Sequence, residues 1–127
     1  MTLEELYKVN PDFFNKDWHG KPMDGYTDVA VGVGWYELVA EVARNAPKGV
    51  YAQQIKEKFG SLTIYCGDND PQPRLEFLDL IAKVEQESSK ICENCGSKEN
   101  VTSKSKTKFG WIKTYCQKCH GEINENV

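Results

Sequence analysis

The chain is short of the features that mark membrane proteins, exported proteins and the common enzyme classes. Over its 127 residues no apolar run approaches the roughly 18–20 residues that a membrane-crossing helix needs, which excludes a spanning helix. The first stretch, Met1 to Asn10, carries Glu4 and Glu5 and no apolar core, so no signal peptide is expected. Only two histidines are present, His19 and His120, which leaves little for histidine-based acid–base or nucleophilic chemistry. There is no nucleophile elbow, no triad pattern, no zinc-protease motif and no internal repeat. Val31-Gly32-Val33-Gly34-Trp35 lacks both the third glycine of a dinucleotide fingerprint and the Lys-Ser/Thr of a phosphate loop. It reads as the entry turn of a helix, with an anion nest as the less favoured alternative. Asp68 and Asp70 have no glycine turn and downstream glutamate to complete a calcium loop. Nothing in the chain points to an enzyme.

What is present is a set of paired cysteines. Cys92 and Cys95, then Cys116 and Cys119, form two Cys-x-x-Cys pairs separated by 20 residues. This is the spacing of a zinc ribbon, in which each pair closes a tight knuckle and a hairpin between them brings four thiolates together. A four-thiolate site is coordinatively closed, so structural Zn2+ is predicted and metal catalysis is not. Cys116-Gln117-Lys118-Cys119-His120 also matches the c-type haem attachment pattern. That chemistry requires export and leaves Cys92 and Cys95 without a role. A thioredoxin-like role needs a Cys-x-x-Cys opening a helix after a strand, which neither pair clearly offers. His120 is a possible fourth ligand, but four cysteines are the simpler set. Paired thiols at metal spacing suit a reducing cytoplasm.

The net charge of −3 conceals an asymmetry. Residues 1–89 hold 9 basic and 15 acidic side chains, whereas residues 90–127 hold 7 lysines and 4 glutamates. The tail is lysine-rich but becomes nearly neutral once four thiolates and a divalent metal are counted, so nucleic acid is neither indicated nor excluded.

Thr2-x-x-Glu5 is a capping box and predicts a short helix over residues 3–9, ended by Asn10-Pro11. Residues 11–30 are expected to be irregular and anchored by Phe13, Phe14 and Trp18. Trp35, Leu38, Val39, Val42 and Ala46 keep a helical period and predict a helix from Trp35 to about Ala46, stopped by Pro47-Lys48-Gly49. Two strand-like runs follow, Val50 to Lys58 and Leu62 to Cys66, joined by a turn expected at Gly60-Ser61. Leu62, Ile64 and Cys66 are expected to face the core. Cys66 reads as a buried small hydrophobe rather than a nucleophile. A loop over residues 67–73 leads to a long helix from about Arg74 to Lys90, with Asp70-Pro71 as its expected cap. That helix runs directly into Cys92, so the ribbon is predicted to be mounted on it. The fold class is therefore α+β: helices packed on a β-hairpin over residues 1–90, with a C-terminal zinc ribbon over residues 91–127. Loss of Cys92 is expected to loosen the tail while the N-terminal layer stays folded.

Two stretches are candidate contact surfaces. Lys104, Lys106 and Lys108 alternate with small polar residues, followed by Phe109, Trp111 and Lys113. They form a solvated hairpin with Trp111 packed on the long helix, a protein contact, or a phosphate-tracking stripe with aromatic stacking. The tip formed by Lys56, Glu57, Lys58, Phe59 and Gly60 is charged at its end with an aromatic beside it. It either protrudes as a contact or folds Phe59 back into the core.

Three stretches carry a resemblance. They are Gly32-Val33-Gly34-Trp35-Tyr36-Glu37-Leu38, then Gln53 to Tyr65 with Lys56-Glu57-Lys58-Phe59-Gly60 at its centre, and Cys92-Glu93-Asn94-Cys95-Gly96 followed by Gly110 to Cys116 and Cys119. Over about residues 7–120 the chain resembles a group of small proteins common in phages and prophages, largely without assigned function. It departs from them at Ser61, where similar proteins tend to carry a second glycine. The resemblance implies a phage or mobile-element product in a bacterial cytoplasm. Small accessory proteins of this kind often act by stoichiometric binding of a host factor, including defence systems. The function implied is a non-catalytic zinc-binding accessory protein that binds and inhibits or modulates a host macromolecule, a host protein first. The alternative is a nucleic-acid-binding zinc ribbon. No membrane partner is expected.

Overall fold

The computed structural model describes residues 1–105 and 111–122, and in it the central element is the predicted hairpin. Strands β2 (Val50–Lys58) and β3 (Ser61–Asp68) pair antiparallel, and the two-residue strand β1 (Val29–Ala30) joins β2 in parallel, giving the order β1-β2-β3. Lys58 pairs with Ser61, so the turn is Phe59-Gly60 and not Gly60-Ser61. Both turn residues have positive φ, 53° and 82°. A two-residue loop with that geometry matches the right-handed twist of the strands it joins. A bulge lies between Ala52 and Gln54. With the register this sets, Ile55, Leu62 and Ile64 are buried, while Lys56, Lys58 and Tyr65 lie on the outer face.

Helix α1 (Leu3–Val9) opens with the predicted box, in which the Thr2 hydroxyl accepts from the Glu5 N–H and the Glu5 carboxylate from the Thr2 N–H, both at 3.1 Å. Residues 11–30 are less irregular than expected. Asn10 caps a short helix α2 (Pro11–Phe14), where a proline at the first position loses no helical hydrogen bond. The Asn10 amide also donates to Ala43 O at 2.8 Å, at the end of α3 (Tyr36–Arg44). A single 3₁₀ turn, Val33–Trp35, leads into α3. Phe13, Phe14, Trp35, Leu38, Val39, Val42, Ile55, Leu62, Phe77 and Val84 form one core between the helices and the inner sheet face.

Helix α4 (Leu75–Ser88) covers the outer edge of β3. Ser88 Oγ accepts from Leu62 N–H and a Glu85 carboxylate oxygen accepts from Ile64 N–H, both at 2.9 Å. Edge groups that would otherwise be open to another strand are thereby satisfied. Asp70-Pro71 does not cap α4; position Arg74 precedes it without a side-chain cap. Asp68 instead accepts from Arg74 Nε at 3.0 Å and from Asp70 N–H at 2.9 Å. After α4 one turn leads to Cys92, then β4 (Val101–Ser105) pairs antiparallel with β5 (Ile112–Cys116), and α5 (Gln117–Glu122) follows. The fold is α+β with a ribbon-like C-terminal unit mounted on α4, as the sequence predicts. Among the described residues no helix is long and apolar enough to cross a membrane.

Candidate metal centre

The four cysteines converge. Cys92 and Cys95 lie in the turn after α4, Cys116 ends β5, and Cys119 is in the first turns of α5. Their sulfurs all lie within 4.8 Å of one another, and Cys95 Sγ is 3.7 Å from Cys116 Sγ. Four sulfurs each about 2.3 Å from a central ion stand about 3.8 Å apart, so the cluster fits a tetrahedral thiophilic ion. Cys92, Cys116 and Cys119 are buried and Cys95 is exposed. His120 is not part of the set. Its Nε2 is engaged with Thr102 O at 2.8 Å and its ring packs edge-on against Tyr115.

Without a metal the thiols do not share one protonation state. Burial opposes ionisation of Cys92, but N–H groups of Cys116, Cys95 and Asn94 point at its sulfur and bring it down to about 7. Asn94 Nδ2 donates to Cys119 Sγ at 3.4 Å, which favours the thiolate there. Burial and the neighbouring sulfurs outweigh it and hold Cys119 up at about 12. Cys92 is thus the thiol that loses its proton most readily, while Cys95 in the same knuckle is shifted upward by burial and its neighbouring sulfurs; a bound cation favours the thiolate at all four.

The centre is locked to the rest of the chain by two seams. In the first, Gly34 N–H donates to Glu93 O at 2.7 Å, Gly32 N–H to a Glu93 carboxylate oxygen at 2.9 Å, and the Trp35 indole to Ile91 O at 2.8 Å. A Cβ on Gly34 would stand 2.1 Å from Cys92 O and 2.6 Å from Glu93 O and Gly96 N. The Gly-x-Gly pair is therefore a close-approach surface for the first knuckle. In the second seam the ribbon grips the hairpin tip. The buried Thr114 hydroxyl donates to Gly60 O at 2.5 Å, shares a 2.7 Å bond with Ser103 Oγ, and Lys113 Nζ lies 2.9 Å from Glu57. Burial works against the Lys113 charge, but Glu57 and Glu93 hold its ammonium above the usual lysine range. Glu93 is itself buried, which raises its carboxyl; its Oε1 has no hydrogen-bond partner among the described residues.

The remaining sequence candidates fall into two groups. At the tip, Phe59 is 74% exposed, so it does not fold back into the core. Lys58 Nζ lies 6.0 Å from the Phe59 ring centroid and Lys56 Nζ 5.7 Å from that of Tyr65. On the ribbon, Lys104 is exposed on β4 opposite Lys113. Lys106 and Lys108 lie outside the described residues. Trp111 is 67% exposed rather than buried against the long helix. Lys113 is committed to Glu57, which breaks the lysine stripe expected to track phosphates. Cys66 is half-buried, and burial with the nearby Glu85 charge pushes its thiol to about 12, as suits a packing residue.

Glu93 and Thr114 are residues that sequence reasoning did not assign to a site, and Glu57 and Lys113, read there as surface contacts, pair with each other instead. The one local signal was a glutamate inside the first knuckle, facing a Gly-x-Gly pair far away in the chain. Comparison of the chain with protein-family models, with curated proteins and with solved structures gives no match.

Proposed function

We propose that the chain is a non-catalytic zinc protein of phage or prophage origin. It acts in the bacterial cytoplasm by stoichiometric contact, presenting the β2–β3 tip to a host protein, a defence factor among the candidates, and thereby inhibiting or modulating it. Zinc is the ion proposed because four cysteine sulfurs in a closed tetrahedral cluster suit it, and the two seams give it a structural task.

The observation that carries the reading is Phe59. It occupies a left-handed turn position, φ 53°, where an L side chain costs about 1 kcal/mol and asparagine or glycine is the natural choice. A phenylalanine is usually kept by burial, yet this ring is 74% exposed. Strain without compensating packing, on a tip held from behind by the ribbon, is what a preorganised aromatic anchor requires.

Phe59→Asn tests it. The variant is expected to be more stable by about 1 kcal/mol in urea denaturation, because the turn strain is relieved and little packing is lost. It is also expected to lose the partner that the tagged wild type retains from nuclease-treated bacterial lysate. Equal recovery of the same protein by both would remove the tip from the contact. Recovery that vanishes on nuclease treatment would move the case to the ribbon and nucleic acid.

A further inference from the structure

Strand alternation sorts the hairpin into two faces. Ile55, Leu62 and Ile64 turn inward with Glu57, while Lys56, Lys58 and Tyr65 turn outward beside the exposed Phe59. Glu57, the carboxylate nearest the two lysines in sequence, is unavailable to them. It faces the ribbon, where it pairs with Lys113 and accepts from Gly60 N–H at 3.1 Å. Among the described residues neither Lys56 nor Lys58 makes an ion pair; each ammonium lies over an aromatic ring instead. Lys8, Lys16, Arg44, Arg74 and Lys113 have a carboxylate partner; of the described lysines without one, Lys56 and Lys58 stand together on one strand face. The face therefore offers two unneutralised cations, spaced two residues apart on one strand, next to an outward aromatic anchor.

The setting narrows the complement. The chain carries a net charge of −3, with 15 acidic against 9 basic side chains in residues 1–89. Two cations match a short acidic patch, whereas a long polyanion is held by a longer cationic track than two lysines on one strand face supply. We infer that the outer face of the β2–β3 hairpin recognises an acidic surface of a folded protein, with carboxylates set against Lys56 and Lys58 and a flat apolar seat for Phe59. This rests on the hairpin reading above and adds the chemistry of the partner to it.

The test is an NMR titration of the labelled, metal-loaded full chain with three probes: the blocked peptide Glu-Glu-Trp-Glu-Glu, its neutral analogue Gln-Gln-Trp-Gln-Gln, and a short oligothymidine. The acidic peptide is expected to shift Lys56, Lys58, Phe59 and Tyr65, to weaken as salt is raised, and to bind about tenfold more tightly than the neutral one. The double variant Lys56→Ser, Lys58→Ser is expected to erase that difference, and Lys104→Ser to leave it intact. Lys58 and Lys104 are exposed and Lys56 is half-buried, and the peptide comparison needs no variant at all. Equal binding of the two peptides at the hairpin would overturn the acidic partner while leaving the tip as a contact. Tighter binding of oligothymidine than of the acidic peptide would overturn it in favour of nucleic acid. Shifts confined to other surfaces, or none with any probe, would overturn both this inference and the hairpin reading.

Discussion

Removing the metal is expected to loosen the hairpin tip as well as the ribbon. The position of β5 is fixed by Cys116 at its end and by Cys119 just beyond, while its other strand, β4, is almost entirely exposed. A two-stranded ribbon of this kind is marginal on its own, so loss of the ion frees β5 to move. What then goes is the grip on the tip. The Thr114–Gly60 hydrogen bond is fully buried on the Thr114 side, and the Lys113–Glu57 pair has side chains only 22% and 17% exposed. At about 1 kcal/mol each, the two contribute about 2 kcal/mol, or about thirtyfold in the local opening equilibrium. Hydrogen exchange of metal-loaded and chelator-treated protein measures this directly. The Gly60 amide, which donates to Glu57, is expected to exchange about thirtyfold faster without metal. Leu62 and Ile64 are expected to keep their protection, because their N–H groups are held by Ser88 and Glu85 of α4. If the amides of β5 lose protection and Gly60 does not, the ribbon and the tip are independent and the coupling is wrong. If neither changes, the four-cysteine centre does not organise the ribbon.

Two further outcomes rest on other contacts of the chain. Gly34→Ala places a methyl group 2.1 Å from a backbone oxygen of the first knuckle, where no flexible side chain can yield, and is expected to cost about 3 kcal/mol or more in thermal or urea denaturation and to weaken metal retention. Asp68 is partly desolvated, but Arg74 and the Asp70 N–H outweigh this and hold its carboxyl below the ordinary value of 3.8. Its stabilising effect is thus present above that value and lost as pH falls through the lowered one, so Asp68→Asn is expected to cost about 1 kcal/mol at neutral pH and progressively less as pH is lowered below 3.8, read in urea midpoints.

The sequence was legible where a signal was local or periodic. The capping box at Thr2, the stripe of α3, the alternation of Leu62 and Ile64, and the cysteine spacing all correspond to observed elements. It was opaque where the deciding partner is distant. Gly32 and Gly34 read as a helix entry or an anion nest because nothing nearby reveals that the first knuckle packs against them. The turn falls one residue earlier than the sequence predicts, because a phenylalanine at positive φ runs against the usual turn preferences. Asn10-Pro11 reads as a stop although the same pair also starts a helix, capped locally by Asn10 Oδ1 accepting from Phe13 N–H; only the further bond from Asn10 to Ala43 O is tertiary. Asp70-Pro71 looked like a cap, but the Asp68–Arg74 pair organises that loop.

The ribbon and the hairpin each lack something that the other supplies. Among the described residues the ribbon's own buried cluster is Cys92, Tyr115, Cys116 and Cys119 with Val101 against it, a core too small to hold a fold without an ion. The hairpin tip extends beyond the main core, whose buried residues end at Ile55 on β2 and begin again at Leu62 on β3. Left alone, a tip of this kind would bury its aromatic residue to gain stability. Backed by Thr114, Lys113 and Glu57, it is held in register by polar contacts and by Gly60 pressed against β5, where a Cβ would stand 2.8 Å from Ile112. Phe59 is then released from any duty in folding. A four-cysteine site that is no part of the exposed face thereby becomes the reason that face can be rigid, cationic and aromatic at once.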